Sequence, residues 1–237
     1  MGRIFEKRKH TMFARYDKMA KAFTRIGKEI VIAVKANGPL PENNPRLRVI
    51  IQNAKGLNMP KDRVEAAIKR ASSKDEKDLE EIVYEGYGPY GVAIVLEAAT
   101  DNINRTVANI RTIFSRGDGA LGKTGSLDFI FTRKGVFKFM KEGLDIDSLE
   151  LELIDFGAED VAISEEGEVY IYTSFQDFGS MQKALEDKKI NVISADVQRI
   201  PTTFVENLTS EQEEEILQLV EKFEEDDDIQ AVYHNMK

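Results

Sequence analysis

The apolar residues in the first third of the chain follow a helical period. They recur at alternating spacings of three and four residues, which places them on one stripe of an α-helix. This stripe consists of Phe13, Tyr16, Ala20, Phe23, Gly27, Ile30 and Val34. A second stripe carries the cations Lys18, Lys21, Arg25, Lys28 and Lys35. Because Lys18 follows Tyr16 by two positions, the stripes lie about 200° apart on the helix. The pattern therefore predicts one long helix with a packing face and a cationic face.

Two shorter helices are predicted after Asn37-Gly38-Pro39, a sequence that ends helices. The first opens at Asn44-Pro45, since asparagine is a favoured N-cap and proline suits the first helical position. The second begins around Pro60, with Lys61 and Arg63 directed outward. Joined by residues 56–59, the pair resembles a helix-turn-helix. Short helical hairpins are also ordinary packing units, so the pattern alone does not assign a role.

Beyond residue 76 the apolar pattern changes to short alternating units. Strands are predicted at residues 92–96, 127–131, 136–140, 168–172, 192–201 and 229–234, with residues 132–135 as a turn between the second and third. Helices are predicted after Asp101 or Asn102, near residues 145–156 and 175–188, and after Ser210, which fits a capping box with Glu213. Such alternation, with hairpins between the strands, predicts α+β sandwiches.

The amino-acid composition indicates the broad class of protein. The 237 residues include 33 Lys and Arg, 42 Asp and Glu and no Cys, giving a formal net charge of −9. The lack of cysteine excludes disulfides, thiolate zinc sites and a cysteine nucleophile. No apolar run approaches the roughly 20 residues of a membrane span, and the charged N-terminus has no apolar signal core. We therefore expect a cytoplasmic protein that makes no membrane contact.

The charge is unevenly distributed along the chain. Residues 1–75 hold 18 Lys and Arg against 7 Asp and Glu, a net charge of +11. Residues 76–237 hold 15 against 35, a net charge of −20. A segment-wide imbalance of this kind indicates an anionic partner for the basic part, although a solvated cationic helix surface has the same composition.

One glycine-rich segment fits a nucleotide-binding pattern. Residues 117–124 read Gly-Asp-Gly-Ala-Leu-Gly-Lys-Thr, which matches the Walker A spacing. A Walker loop follows a strand and opens a helix, so that its amides face phosphate. Here a predicted helix precedes the loop and a predicted strand follows it. The amides would lie at the electronegative end of a helix, and we therefore reject ATP binding.

Other catalytic signatures are missing from the sequence. His10 and His234 stand at opposite ends of the chain, without a neighbour at ligand spacing. Neither a Gly-x-Ser-x-Gly nor a His-Glu-x-x-His motif occurs. We accordingly expect no enzyme, no metal, no cofactor and no small-molecule ligand.

The cations of the basic segment are the candidate functional residues. Each phosphate that such residues neutralise contributes about −0.9 to the slope of log K against log salt on B-DNA. The residues predicted to contact nucleic acid are Lys7, Arg8, Lys9, Lys18, Lys21, Arg25, Lys28, Lys61 and Arg63.

Three groups of residues resemble the YebC/PmpR family. The first is Asn44-Pro45-Arg46-Leu47-Arg48 with residues 58–70. The second is residues 84–89 with Asp101-Asn102 and Asn104-Arg105-Thr106. The third is Gly125-Ser126 with residues 129–131, Arg133-Lys134-Gly135 and the terminal residues 232–235. The resemblance covers essentially the whole chain. It departs at residues 2–10, which replace a stretch rich in His, Ser, Lys and Trp, and at Tyr90, where the family commonly has glycine.

The resemblance implies a fold and a role. The fold is α+β, with an N-terminal three-helix domain at residues 1–75 and two ferredoxin-like α+β sandwich domains. The middle domain comprises residues 76–132 and 208–237, and the inserted domain residues 133–207. Family members are described as DNA-binding transcription regulators or as ribosome-associated factors that relieve stalling, and they include a mitochondrial translational activator of cytochrome c oxidase subunit I. No catalytic site is implied.

The sequence therefore predicts a non-enzymatic regulator of gene expression that binds nucleic acid. Promoter DNA is the first expected partner. The alternative is ribosomal or transfer RNA, with the ribosome as a further partner in translation. A second alternative is a protein-interaction or ligand-sensing module built on the acidic domains.

Overall fold

The computed structural model describes the backbone of residues 3–237 and the side chains of residues 19–237. The chain forms two compact units, Met1–Leu79 and Glu80–Lys237. Within the described residues, no helix is both long enough and apolar enough to cross a membrane.

The first unit consists of three helices, α1 (Arg3–Asn37), α2 (Pro45–Gly56) and α3 (Lys61–Ala71). α1 ends where predicted, because Gly38 takes a left-handed backbone conformation with φ of +84°. The predicted N-cap of α2 is also confirmed, since the Asn44 side-chain oxygen accepts from the Leu47 amide at 3.1 Å. The Asn44 amide nitrogen donates to the carbonyls of Ala33 and Gly38 at 2.8 and 2.9 Å. This buried residue therefore ties the end of α1 to the start of α2.

The turn between α2 and α3 is a Schellman motif. Asn58 has φ of +56°, and the amides of Asn58 and Met59 donate to the carbonyls of Lys55 and Ala54 at 2.9 Å each. Met59 then packs against the core of the three helices. This turn sets the angle at which α3 leaves α2.

The second unit holds two four-stranded sheets. In chain order its elements are β1 (Glu80–Tyr87), β2 (Ala93–Thr100), α4 (Ile103–Arg116), β3 (Ala120–Leu121), β4 (Phe131–Met140), α5 (Ile146–Ile154), β5 (Ala158–Ile163), β6 (Glu168–Ser174), α6 (Phe178–Asp187), β7 (Val192–Pro201), α7 (Ser210–Glu225) and β8 (Ile229–His234).

The first sheet has the strand order β3-β1-β2-β8. Phe114 of α4 and Phe223 of α7 are fully buried, with ring centroids 4.7 Å apart. Both pack with Ile94 and Leu96 of β2 in one core. The helix and strand at the end of the chain thus complete a sheet that begins at residue 80.

The second sheet has the order β5-β6-β4-β7. With α5 after its first strand and α6 after its third, it forms the βαββαβ ferredoxin-like arrangement. Phe178 of α6 lies on Phe137 of β4, with ring centroids 4.7 Å apart. The predicted fold class, three helices followed by α+β sheets, is confirmed. The division at residues 132 and 207 remains a prediction.

Three local predictions were wrong. Residues 127–130 form turns rather than a strand, and β4 continues from Phe131 to Met140 through the predicted turn. The polar residues there are accommodated because β4 pairs on both sides, with β6 and β7. The capping box lies one residue earlier than predicted, at Thr209 and Gln212, which also fit the pattern.

β1 was not predicted from the sequence. Its residues alternate weakly and include Gly86, which is unfavourable within a strand. The structure requires this glycine, since a Cβ atom would lie 2.5 Å from the Ala120 carbonyl oxygen of the neighbouring β3. A tertiary contact therefore overrides the local preference.

Candidate nucleic-acid interface

A row of cations follows one side of α1. Lys21, Arg25 and Lys28 are spaced by four and three residues, so they lie on one face. Ile30 and Ala33, on the opposite side, are fully buried. The three cationic side chains are half-buried. Long cationic side chains can pack their aliphatic stems while the charged ends stay in water. We call these three residues the α1 row.

Four of the predicted contact residues cannot be placed on this surface. The side chains of Lys7, Arg8, Lys9 and Lys18 lie outside the described residues. Their backbone belongs to α1.

The predicted residues of α3 lie elsewhere on the unit. The Lys61 side chain is 91% exposed and forms a surface ion pair with Glu65 at 3.5 Å. The Arg63 guanidinium carbon lies 5.9 Å from the centroid of the Phe23 ring on α1. Phe23 is two positions from both Lys21 and Arg25, about 200° around the helix. α3 therefore meets α1 on the side away from the α1 row, so the predicted residues whose side chains are described do not all lie on one surface.

Three exposed cations on α2, Arg46, Arg48 and Lys55, were not among the predicted contacts. Arg48 and Lys55 are seven residues apart, so they share one face of α2. Arg48 Nη1 donates to the carbonyls of Pro41 and Glu42 at 3.1 and 3.3 Å, which holds its side chain near the start of the helix. The spacing of seven was visible in the sequence and could have indicated this pair.

The exposed face of α3 has mixed charge. Lys61 and Lys69 are accompanied there by Asp62 and Glu65, all of them exposed. A helix that recognises bases lies in the major groove, where its exposed face is close to the phosphates on both sides. Acidic residues on that face are therefore unfavourable. The two carboxylates weaken that interpretation of α3. The α1 row consists of three cations, with one carboxylate, Glu29, beside it on the helix.

The residues shared with the family in the second unit mainly hold the fold together. Asp228 is buried before β8, and its Oδ2 accepts from Arg105 Nη2 at 2.8 Å and from the hydroxyls of Thr100 and Thr106 at 3.1 and 2.8 Å. Arg105 also donates to Asp101 at 2.9 Å, and these two carboxylates raise the pKa of its guanidinium. The motif residues around 101–106 thus form a structural hydrogen-bond network.

Glu85 is a second buried anchor. Only 3% of the residue is exposed, and its carboxylate accepts from the amides of Gly125 at 2.9 Å and Leu127 at 2.7 Å, with a longer contact of 3.4 Å from the Ser126 hydroxyl. The motif around residues 84–89 and Gly125-Ser126 therefore meet in the fold. Their separation of about 40 residues concealed the contact in the sequence.

The amides of the Walker-like segment are already engaged. Those of Gly117 and Gly119 donate to the carbonyl of Phe114 at 3.1 and 2.9 Å, and that of Gly122 donates to the Glu85 carbonyl at 2.7 Å. A Cβ at Gly119 would lie 2.5 Å from the Tyr87 carbonyl oxygen. The glycines therefore serve a helix-to-strand turn against β1, which agrees with the rejection of a phosphate loop. The strand that follows α4 is the short β3, which lies within the Walker-like segment.

The described histidine and acidic residues form no metal centre. Among residues with described side chains, no three His, Asp or Glu residues are arranged to hold a metal ion. Burial lowers the pKa of the His234 imidazole below its ordinary value of 6.5, while the Glu224 carboxylate opposes this shift. His234 is therefore a packed residue of β8.

These features define a class of protein with a cation-rich three-helix unit and two α+β sheets whose buried polar residues are structural. Two family models match the chain. One, described as the TACO1/YebC protein N-terminal domain, covers residues 3–74. The other, the TACO1/YebC second and third domain, covers residues 79–236. The chain belongs to the TACO1/YebC family.

Full-length relatives share more than half of their residues with this chain. A protein of Cytophaga hutchinsonii is 61% identical over all of this chain and 98% of its own length. A protein of Anaeromyxobacter dehalogenans is 55% identical, with both chains fully covered. Each is named a probable transcriptional regulatory protein. The crystal structure of the conserved hypothetical protein Aq1575 from Aquifex aeolicus is similar, with a TM-score of 0.80, 35% identity and coverage of 92% of this chain and 90% of that one.

Proposed function

We propose that this protein regulates gene expression by binding DNA through its first unit, with the α1 row as the phosphate-contacting surface. The observation that carries the proposal is the row of three cations on one face of α1, within a segment of net charge +11. Lys21 and Lys28 are separated by two helical turns, about 10 Å along the axis. Double-stranded DNA presents one phosphate charge per roughly 1.7 Å of its axis, so a row of this length faces several phosphates.

The proposal also assigns phosphate contacts to the other predicted residues of the first unit. Lys7, Arg8, Lys9 and Lys18 share the basic segment with the α1 row, and Lys61 and Arg63 supply phosphate contacts from α3. Phosphate contacts fix position and orientation without reading sequence. The proposal therefore assigns affinity to these residues and makes no claim about a recognised base sequence.

The rest of the chain repels nucleic acid. Residues 76–237 carry a net charge of −20, which opposes phosphate and restricts contact to the basic unit. The names of the relatives from Cytophaga hutchinsonii and Anaeromyxobacter dehalogenans support a role in transcription. The proposal is of a cytoplasmic regulator without catalytic activity.

The test is direct binding of the full-length protein to labelled nucleic acid, measured by fluorescence anisotropy across a series of salt concentrations. The variant is Lys21→Gln, Arg25→Gln, Lys28→Gln, which keeps the packed stems and removes three charges. We expect weaker binding and a salt slope that falls by about 2.7, at roughly 0.9 for each lost contact. A matched control, Lys123→Gln, Lys141→Gln, Lys183→Gln, removes three exposed charges from the second unit and should leave the slope unchanged.

Equal effects of the two triple variants would overturn the assignment to the α1 row. Probes of double-stranded DNA, ribosomal RNA and transfer RNA distinguish the targets, because the same phosphate chemistry also fits RNA. Crosslinking in cells, followed by sequencing of bound DNA and RNA, completes the test. Enrichment of promoters supports the proposal, whereas enrichment of ribosomal or transfer RNA alone contradicts it and favours a role in translation.

A further inference from the structure

Three apolar side chains are exposed on and just after α5. Leu151, Ile154 and Phe156 are 70%, 55% and 40% exposed. Leu151 and Ile154 are three residues apart on one helix face, and Phe156 follows in the turn, where its amide donates to the Leu153 carbonyl at 3.0 Å. Leu153 is fully buried, so the inner face of α5 is already packed. We call Leu151, Ile154 and Phe156 the α5 patch.

The α5 patch lies in a strongly acidic segment. Residues 142–166 contain ten Asp and Glu and neither Lys nor Arg. By helical spacing Asp147 and Glu150 share the outer face of α5 with the patch, and Asp155 follows directly; all three are exposed. Lysines from other segments reach only part of this surface, where Lys188 pairs with Glu152 and Lys134 with Glu159.

The α5 patch and the acidic residues around it together restrict the kind of partner that can bind there. A contiguous apolar patch rimmed by polar residues marks an interaction site on a soluble protein. The acidic rim repels nucleic acid and anionic lipid surfaces. Among the described residues the carboxylates do not converge into a metal site, so a bound metal is not what neutralises them. A partner must therefore offer apolar and cationic groups together.

We propose that the α5 patch and its acidic rim bind a cationic amphipathic segment of another protein. Apolar side chains of that segment pack on Leu151, Ile154 and Phe156, while its Lys and Arg residues face Asp147 and Glu150. Apolar contact supplies the affinity of such a complex, and complementary charge supplies orientation and association rate. This proposal is independent of nucleic-acid binding by the first unit.

A second copy of the chain is a poorer occupant. Its first unit has the cations, but on the described part of α1 the buried apolar residues, Ile30 and Ala33 among them, are packed in the core of that unit. The exposed Leu40 and Leu57 of the same unit lie outside α1, so they do not form a helix face together with the α1 row.

The test uses a fluorescent Leu/Lys peptide of about 18 residues, five helical turns, whose leucines follow the helical period. Its binding to the full-length protein is measured by anisotropy at about 0.15 M salt. A scrambled peptide of the same composition controls for charge alone. The variant Leu151→Ser, Ile154→Ser should weaken binding of the amphipathic peptide at least about tenfold, since two exposed contacts are lost without disturbing the core.

The matched control is Leu217→Ser on α7. Leu217 is 51% exposed and also stands among glutamates, but it is not part of the α5 patch. Its replacement should leave the affinity unchanged, and Glu150→Lys should weaken binding. Equal affinity for both peptides, or equal effects of the α5 and Leu217 variants, would overturn the proposal. So would a wild-type dimer in sedimentation that dissociates on Leu151→Ser, Ile154→Ser, because the patch would then be a self-interface.

Discussion

Arg105 Nη2 lies 2.8 Å from Asp228 Oδ2, and this contact joins the start of α4 to the turn before β8 across 123 positions of sequence. The same oxygen accepts from two threonine hydroxyls, those of Thr100 and Thr106. Asp228 is only 6% exposed. A buried carboxylate is tolerated when donors surround it, and here three donors share one oxygen. The first sheet therefore depends on a polar contact between its early elements and the end of the chain.

Replacing Asp228 should test that dependence. Asp228→Ala removes the acceptor that Arg105, Thr100 and Thr106 share, and we expect the free energy of unfolding to fall by about 3 kcal/mol, the low end of the range for breaking a buried ion pair. We expect a loss at the low end of this range because the Arg105 side chain is 47% exposed and can be hydrated when its partner is removed. Urea denaturation followed by circular dichroism measures the loss.

An exposed ion pair provides the control for Asp228. Glu206 accepts from Lys237 Nζ at 2.7 Å, but the two side chains are 55% and 68% exposed. Glu206→Gln should therefore cost less than about 1 kcal/mol. If Asp228→Ala and Glu206→Gln proved equally mild, the buried network would contribute no more than a surface ion pair.

Tyr90 is an unusual residue for its backbone conformation. Its φ of +60° lies in the left-handed region, which glycine adopts without strain. Its hydroxyl donates to the Glu215 carboxylate, which raises the pKa of the phenol and anchors the turn to α7. Tyr90→Ala loses this contact and keeps the backbone strain, whereas Tyr90→Gly loses both. We therefore expect Tyr90→Gly to melt about 2–4 °C above Tyr90→Ala in scanning calorimetry.

Two further variants separate strain from contact at this turn. Tyr90→Phe keeps the ring and the strain, so its difference from the wild type measures the Glu215 contact alone. Gly91→Ala should be destabilising, since Gly91 also has positive φ, +75°. An identical melting temperature for Tyr90→Gly and Tyr90→Ala would show that the left-handed conformation carries no cost.

The first unit was largely predictable because its information is local. Helical periods, Asn44-Pro45 and Gly38 fix helix bounds through neighbouring residues alone. The α1 row followed from the same spacing. The position of Arg63 could not be predicted from spacing, because its contact with Phe23 depends on how α3 packs against α1. The local pattern of the sequence therefore identifies the candidate residues, but it does not show which of them share a surface.

The second unit shows where such inference fails. Gly86 is of a residue type that disfavours strands, yet it lies within β1, where the neighbouring backbone leaves no room for a side chain. Glu85 and Asp228 are charged residues that an alternating pattern assigns to the surface, but both are buried by partners distant in sequence. Positions of this kind are set by tertiary contacts, which the spacing of residues does not encode.

His234 makes the stability of the second unit depend on pH in a defined direction. Burial lowers the pKa of its imidazole below 6.5, so the unfolded chain binds a proton at a higher pH than the folded protein does. The free energy of unfolding should therefore decrease as the pH falls below about 6.5, and His234→Gln should flatten this decrease. Urea denaturation at a series of pH values measures both slopes. An unchanged slope in His234→Gln would assign the dependence to other groups.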